Sequence, residues 1–257
     1  MFYKKEDYEI YYEKYGTGNK KIIILPGWGD TRKTFTYLIQ VLQEYFTIYI
    51  FDYPGFGNSP FPNHDLTIYD YTNMIRDFLT GQKITKPIII AHSFGGRIAT
   101  LLSGYYKEEI DKIILIDTAG IRHKKNIVLF LKEKLYKLLK LIKYILPKSK
   151  KERYQKKLLS IFASSDYKSL PKEMNITFKN IIKEDLKYYI PYIEQETLII
   201  WGEKDKDTPL KDGKYLKQKI KNSALIIYPN ATHYSYLEYP YLTYKIIMNF
   251  LTSKKDC

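Results

Sequence analysis

The chain contains little cysteine and histidine and no long apolar run, and each shortage bears on what it can be. The single cysteine, Cys257, is the last of 257 residues, so neither a disulfide framework nor a cysteine-rich metal site is expected. No stretch of eighteen uncharged apolar residues is present, which argues against a membrane-spanning helix. The first seven residues, MFYKKED, are charged and lack an apolar signal segment. We therefore expect a cytoplasmic protein.

The composition fits one large hydrophobic core with an inserted, strongly basic segment. Hydrophobic residues make up 45% of the chain, and the net charge is +14. Residues 121–170 hold fifteen Lys and Arg against three Asp and Glu. Such a segment can contact an anionic membrane surface from outside, although a solvated basic face is the interpretation that we favour. Nucleic-acid binding is not expected, because no nucleic-acid module is recognisable.

One serine lies in a turn between a predicted strand and a predicted helix. Residues 91–96 read AHSFGG, after an apolar run and before a helical pattern. Ala91 and Gly95 flank Ser93 with little or no side chain, so the backbone can adopt the strained turn that exposes the hydroxyl. The pattern indicates a nucleophile. An ordinary strand–turn–helix with an incidental serine is the alternative.

A serine nucleophile needs a histidine base and a carboxylate that orients the base. Among the four histidines, His233 follows a turn after the apolar run 224–228. Asp205 lies on a loop after another apolar run. For His92, adjacent to the serine, we predict a packing or supporting role. The chain order is serine, acid, base.

Five motifs in this order resemble those of the α/β-hydrolase superfamily, over nearly the whole chain apart from a middle segment. They are the oxyanion loop (21–29, KIIILPGWG), a DxPGxGxS loop (52–59), the nucleophile elbow (91–96), the acid loop (201–209, WGEKDKDTP) and the segment that carries the base (233–240, HYSYLEYP). The chain departs from the family pattern at Ala91, where a glycine is usual, and at Pro26, where a histidine is usual. The second departure bears on substrate class.

The alternation of strand and helix patterns predicts an α/β fold with a mainly parallel sheet flanked by helices. Strand-like runs lie at 8–15, 21–25, 47–52, 87–91, 112–117, 197–201 and 224–228, and helical patterns at 33–45, 67–80, 95–106 and 238–252. Ser93, Asp205 and His233 all follow strands, as does the 27–28 loop. In such sheets the ligand crevice lies at the carboxyl ends of the strands.

The segment 121–190 interrupts this alternation, at the position where α/β-hydrolases usually carry a helical cap. We therefore expect a core formed by 1–120 and 191–257, with 121–190 as an inserted cap. Residues 127–146 predict a helix with a wide apolar face and a lysine stripe, ended by Pro147. A lid over an apolar acyl-binding cleft is one interpretation of this helix. Simple packing on the core is the other.

The resemblance implies serine-dependent hydrolysis through an acyl-enzyme, with Ser93 as nucleophile, His233 as base and Asp205 as the orienting acid. Asp117, at the end of the strand that follows the serine's helix, is the alternative acid, because some members of the family carry the acid at that position. The backbone N–H groups of Trp28 and Phe94 would form the oxyanion hole. A small acyl substrate with an apolar part is expected, without a cofactor and without a metal. Carboxylic ester hydrolysis is favoured; cleavage of a carbon–carbon, thioester or amide bond, or a non-catalytic ligand-binding role, are the alternatives.

Overall fold

The computed structural model describes residues 1–5, 7–123, 134–136, 138–142, 144, 146–162 and 170–253. Within them lies an eight-stranded sheet with the spatial order β1-β2-β4-β3-β5-β6-β7-β8. Its strands are β1 (Phe2–Lys5), β2 (Tyr8–Tyr15), β3 (Lys21–Leu25), β4 (Thr47–Asp52), β5 (Ile88–His92), β6 (Lys112–Ile116), β7 (Glu196–Gly202) and β8 (Ser223–Tyr228). The β1–β2 and β2–β4 pairs are antiparallel, and all other pairs are parallel. The predicted fold class is confirmed.

Helices formed by residues 1–122 and 176–257 cover both faces of this sheet. The helices of the described residues are α1 (Thr36–Leu42), α2 (Ile68–Gly81), α3 (Phe94–Thr100), α4 (Lys148–Phe162), α5 (Asn175–Lys183), α6 (Leu210–Lys219), α7 (Ser235–Glu238) and α8 (Pro240–Thr252). Short 3₁₀ turns occupy Arg32–Phe35, Lys172–Met174, Leu186–Tyr188 and Ile190–Tyr192, and α3 continues as one π-helical turn, Leu101–Tyr105.

The central strands are apolar throughout because helices cover them on both sides. Alternate side chains of β3 enter different clusters: Ile22 and Ile24 pack with α1 and α8, whereas Ile23 and Leu25 pack with α2, α3 and α6. Every residue of β5 is buried. The sheet therefore forms a rigid layer from which the loops at its carboxyl edge project.

Most elements lie where the sequence predicts them, and the differences have simple causes. The predicted helix 33–45 consists of a 3₁₀ turn followed by α1, and β1 completes the hairpin with β2. Helix α6 was not predicted. Its sequence, LKDGKYLKQK, has few apolar residues, and it buries only Asp212, Gly213 and Leu216, so its apolar periodicity is weak.

The chain divides into two compact units, residues 1–122 with 176–257, and residues 123–175. Residues 176–190, which we expected in the cap, pack with the first unit. The Thr177 hydroxyl accepts a hydrogen bond from the Leu66 N–H at 3.0 Å, and the Arg97 guanidinium donates to the Ile181 and Glu184 carbonyls. The sheet-covering surface thus extends further into the middle segment than the strand–helix alternation indicated.

In the second unit, α4 begins directly after Pro147, the residue at which we expected the preceding helix to end. Of the predicted helix 127–146, residues 134–136, 138–142 and 144 are helical, and the remainder of its apolar and lysine faces lies outside the described residues. The Tyr154 hydroxyl donates to the Leu139 carbonyl at 2.8 Å and joins the two helical stretches. No helix in the described ranges is long and apolar enough to span a membrane.

Candidate active site

Ser93 occupies a strained turn between β5 and α3. Its φ of 46° and ψ of −110° are unfavourable for a residue with a side chain. Hydrogen bonds from neighbouring segments maintain this conformation: the Ser93 N–H donates to the Ile116 carbonyl, and the Ser93 carbonyl accepts from the N–H groups of Gly96 and Ala119, each at 3.0–3.1 Å. The turn presents the hydroxyl beside the first turn of α3.

The glycines of this turn are required by close packing. A Cβ at Gly95 would lie 2.0 Å from the Leu25 carbonyl oxygen, and one at Gly96 would lie 2.1 Å from Cγ2 of Thr118. Both distances are far below any real contact, so a side chain here would displace α3 from β3. The alanine that replaces the family's usual glycine, Ala91, is fully buried without strain because it belongs to β5.

Two further loops bring a histidine and a carboxylate to the serine. His233, after β8, has its Nε2 atom 2.9 Å from Ser93 Oγ and its Nδ1 atom 2.8 Å from Asp205 Oδ2. Asp205 lies on the loop after β7. With the ring proton on Nδ1, the imidazole donates to Asp205 and accepts from the serine hydroxyl, which is the arrangement that activates a serine. The structure thus brings together the three residues predicted from distant parts of the sequence.

The Asp205 carboxylate has donors on both oxygens. Oδ1 accepts from the N–H groups of Asp207 and Thr208 at 2.8 and 2.9 Å, and Oδ2 accepts from the Thr208 hydroxyl at 2.6 Å as well as from His233. Burial by itself would raise the pKa of Asp205. The hydrogen bond and the charge of His233, together with the two hydrogen bonds from Thr208, outweigh burial and lower this pKa. Asp205 is therefore an anion at neutral pH.

The pKa of His233 responds in the opposite direction. Burial lowers it, but the hydrogen bond and the charge of Asp205 outweigh burial, so the pKa lies above 6.5. Asp205 thus stabilises the protonated ring, as is required for a base that holds a proton between two steps of a reaction.

Asp117, the alternative acid, is engaged elsewhere. Its Oδ1 accepts from the Gly202 N–H at 2.8 Å, and its Oδ2 accepts from the N–H and the hydroxyl of Ser235 at 3.1 and 2.6 Å. The residue is fully buried. Burial raises the pKa of Asp117 to about 6, against the opposing effect of the Ser235 and Gly202 hydrogen bonds. The carboxylate that orients the imidazole in this structure is that of Asp205.

Two backbone N–H groups flank the serine turn. Phe94 is the first residue of α3 and has no acceptor one turn earlier in that helix. Trp28 lies in the loop after β3. Neither N–H donates to the backbone of another described turn or loop. Both are available for a developing negative charge, and Pro26 leaves the Trp28 N–H unaltered.

Aromatic rings surround this part of the site. The Trp28 ring packs against Phe56, Phe94 and Phe178 at centroid distances of 4.9, 5.1 and 5.4 Å. The Trp28 Nε1–H is buried and has no acceptor within the described residues. The loop that carries Trp28 thus lies within an apolar cluster, which the sequence motif alone did not indicate.

His92 supports the loop that carries His233. It is fully buried, and its Nε2 atom makes a 2.9 Å hydrogen bond with the His233 carbonyl oxygen. Its Nδ1 atom lies 3.4 Å from Asp30 Oδ2, and the Tyr234 hydroxyl donates to Asp30 Oδ1 at 3.2 Å. Sequence reasoning missed Asp30, because no spacing rule connects it to His92 and Tyr234 so far along the chain. It also missed Thr208, although Thr208 lies in the acid loop three positions after Asp205.

The residues that could hold a cation coincide with this site. Ligand atoms of Asp205, Asp207 and His233 lie within 4.8 Å of one another. A cation on Nδ1 of His233 would have to displace the proton shared with Asp205, and would thereby disrupt the serine–histidine–aspartate arrangement.

The parallel sheet and the serine turn at its carboxyl edge define a class of proteins, the α/β hydrolases. The model of the α/β hydrolase fold matches residues 20–240, and the chain belongs to this family. It is 30% identical to the pimeloyl-[acyl-carrier protein] methyl ester esterase of Wigglesworthia glossinidia brevipalpis, over 92% of this chain and 95% of the relative. It is 24% identical to the monoacylglycerol lipase ABHD6 of Mus musculus, over 96% of this chain and 81% of that protein.

A solved structure shares the fold over the full length. The α/β hydrolase enzyme MGS-M2 from a Medee basin deep-sea metagenome superimposes with a TM-score of 0.76 at 21% identity, covering 99% of this chain and 98% of that one. This structural match supports the fold, and the esterase and lipase relatives support a hydrolase.

Proposed function

We propose that the chain is a serine hydrolase of carboxylic esters that works through an acyl-enzyme. The observation that carries this proposal is the hydrogen-bonded series Ser93–His233–Asp205, with distances of 2.9 and 2.8 Å. The ester class is supported by two relatives, a methyl ester esterase and a monoacylglycerol lipase.

In the first half-reaction, Ser93 Oγ attacks the ester carbonyl carbon while Nε2 of His233 takes the hydroxyl proton. Asp205 stabilises the imidazolium that forms. The carbonyl oxygen becomes an oxyanion and accepts from the N–H groups of Trp28 and Phe94, each worth roughly 3–4 kcal/mol of barrier. The C–O bond then breaks, and the imidazolium proton goes to the departing alkoxide.

In the second half-reaction, water takes the place of the alcohol. His233 removes a proton from the water as it attacks the acyl-serine, and the same N–H pair binds the second oxyanion. Collapse breaks the bond to Ser93 Oγ, the imidazolium returns its proton to the serine, and the carboxylic acid leaves. No redox step or external co-reactant is needed.

The substrate that we propose has an apolar acyl chain. The aromatic cluster around Trp28 provides an apolar surround for the oxyanion loop, and both relatives act on acyl esters according to their names. The middle segment, expected at 121–190, is proposed as a helical cap. Its excess of lysine is proposed to allow peripheral contact with an anionic membrane surface.

A labelling experiment combined with an ester series tests this function. A fluorophosphonate should label Ser93, identified by peptide mass spectrometry, and Ser93→Ala should abolish both labelling and hydrolysis. With p-nitrophenyl esters from acetate to octanoate, kcat/KM should rise with chain length by about fourfold per methylene, since each buried methylene adds about 0.8 kcal/mol. A methyl ester and a monoacylglycerol extend the series to the substrates of the relatives.

Other outcomes point to the alternatives. Equal labelling of the Ser93→Ala variant would overturn the assignment of the nucleophile. Labelling without hydrolysis of any ester, but with turnover of an amide, a thioester or a β-diketone, would move the activity to another bond type. No labelling and no turnover would favour a ligand-binding protein.

A further inference from the structure

A buried carboxylate outside the proposed mechanism connects the loops that carry the acid and the base. Asp117 follows β6, and its two oxygens accept hydrogen bonds from different segments. Oδ1 binds the N–H of Gly202, three positions before Asp205, at 2.8 Å. Oδ2 binds the N–H and hydroxyl of Ser235, two positions after His233, at 3.1 and 2.6 Å. One side chain therefore fixes both loops to the end of the same central strand.

The main chain of Asp117 adds two further connections. Its N–H donates to the Ile200 carbonyl in β7 at 3.0 Å. Its carbonyl oxygen lies 3.0 Å from the Thr208 hydroxyl oxygen, whose proton is donated to Asp205 Oδ2 at 2.6 Å, and the Thr208 N–H also binds Asp205. Asp117 has a φ of 44°, an unfavourable value for a residue with a side chain, and these bonds maintain it.

An anion at this position costs folding free energy, because it is fully buried and no Lys or Arg of the described residues forms an ion pair with it. Only a carboxylate can accept on both oxygens in this geometry. An asparagine would turn an NH₂ group toward one of the two loops and leave donors facing each other. The Asp117 carboxylate, although its burial costs folding free energy, is therefore the group that can bridge the two loops.

We propose that Asp117 is a positioning residue that aligns Asp205 and His233 by bridging their loops, with Ser235 as its partner on the base loop. This role rests on the proposed function of Ser93. Asp117 does not touch the reacting atoms, so its removal loosens the alignment without removing the acid or the base. Misplacement of about 1 Å costs roughly 100-fold in rate.

The test compares Asp117→Asn and Ser235→Ala with wild type and with the variants Ser93→Ala, Asp205→Asn and Ser103→Ala. Ser103 is the matched control, since it is a fully buried serine whose hydroxyl donates to the Ala99 carbonyl within the α3 region. We expect kcat to fall by about 10- to 100-fold in the first two variants, with KM changed less than twofold. Ser103→Ala should retain wild-type kcat. Circular dichroism and thermal unfolding establish that each variant is folded.

The pH dependence of kcat/KM separates positioning from a general loss of structure. The Asp117 charge raises the pKa of His233, so Asp117→Asn should move the acidic limb to lower pH. Ser235→Ala keeps the carboxyl group but loses a hydrogen bond that lowers the pKa of Asp117, so it should lower kcat with a smaller displacement of this limb. The double variant should lose no more activity than the worse single variant, because both act on one bridge.

Three results would overturn the proposal. The first is wild-type kcat in folded Asp117→Asn and Ser235→Ala while Ser93→Ala is inactive. The second is a loss in Asp117→Asn as large as that of Asp205→Asn, which would make Asp117 the acid itself. The third is an equal loss in Ser103→Ala. Retention of activity by Ser93→Ala would instead overturn the proposed function, so the two failures are distinguishable.

Discussion

Thr208→Val removes the hydroxyl that donates a hydrogen bond to the Asp205 carboxylate, while the side chain at position 208 keeps nearly the same shape. The Thr208 hydroxyl lies 2.6 Å from Asp205 Oδ2, and Thr208 is only 7% exposed. A hydrogen bond to a buried charge is worth about 1.5–3 kcal/mol, so we expect the free energy of unfolding to fall by that amount at neutral pH. The N–H groups of Asp207 and Thr208 remain on Oδ1, so the orientation of Asp205 should survive and kcat should fall by less than about tenfold.

The pH dependence of stability has a definite sign. The pKa of Asp205 is lowered in the folded protein relative to its ordinary value of 3.8, so its stabilising contribution is present above pH 3.8 and is lost as pH falls through the folded-state pKa. Thr208→Val raises that folded-state pKa. The variant and the wild type should therefore differ most at neutral pH and converge in acid.

The same substitution should raise the kinetic pKa of His233. A carboxylate with one donor fewer is more basic and holds the imidazolium proton more strongly. The acidic limb of kcat/KM reports the pKa of His233, which Asp205 already raises, and this limb should move further to high pH.

Urea unfolding at several pH values and a pH–rate profile test this reasoning, with Thr72→Val as the matched control. Thr72 is a fully buried threonine whose hydroxyl donates to the Ile68 carbonyl within α2. Its loss should cost about 0.5–1.5 kcal/mol, independent of pH, with an unchanged rate profile. Equal destabilisation of both variants at all pH values, or a shift of the acidic limb to low pH, would refute the role of the Thr208 hydroxyl.

Four further predictions follow from the site and the middle segment. Asp205→Asn should lower kcat by about four orders of magnitude in a folded protein, by analogy with serine proteases, and Asp117→Asn by far less; a reversed order in steady-state kinetics would transfer the role of the acid. Gly95→Ala should destabilise the protein by about 3 kcal/mol or more in urea unfolding, because its Cβ would lie 2.0 Å from the Leu25 carbonyl oxygen; an unchanged midpoint would contradict the close packing. Burial raises the pKa of Asp117 from 3.8 to about 6, so wild type should lose stability relative to Asp117→Asn as pH rises from 3.8 to about 6, and a flat difference would contradict it. Anionic vesicles should bind the chain at low salt and release it at high salt, as measured by co-sedimentation; no binding at low salt would leave the lysines as a solvated face.

The fold could be predicted from the sequence because its signals are local. Runs of isoleucine and leucine flanked by turns predict buried strands, and their alternation with amphipathic helices requires a parallel sheet covered on both sides. The serine turn is equally local, since Gly95 and Gly96 lie next to Ser93 in the chain. That Ser93, Asp205 and His233 lie near one another after β5, β7 and β8 also follows, because the carboxyl ends of parallel strands share one edge.

The weaker local signals were misread or missed. Helix α6 carries few apolar residues, and the placement of residues 176–190 with the sheet depends on contacts such as that of Arg97 with the Ile181 carbonyl. The sequence of residues 176–190 does not indicate that Arg97, far away along the chain, will donate a hydrogen bond to one of its carbonyl groups.

Sequence alone determined the sheet, the serine turn and three candidates for its chemistry. Only the tertiary structure decided how the two aspartates differ: Asp205 binds the imidazole, whereas Asp117 binds Gly202 and Ser235. The physical reason is that much of this difference rests on backbone N–H groups, which every residue except proline carries and which no sequence pattern marks. Their directions are set by how separate loops pack against one sheet edge, and that packing exists only in the folded chain.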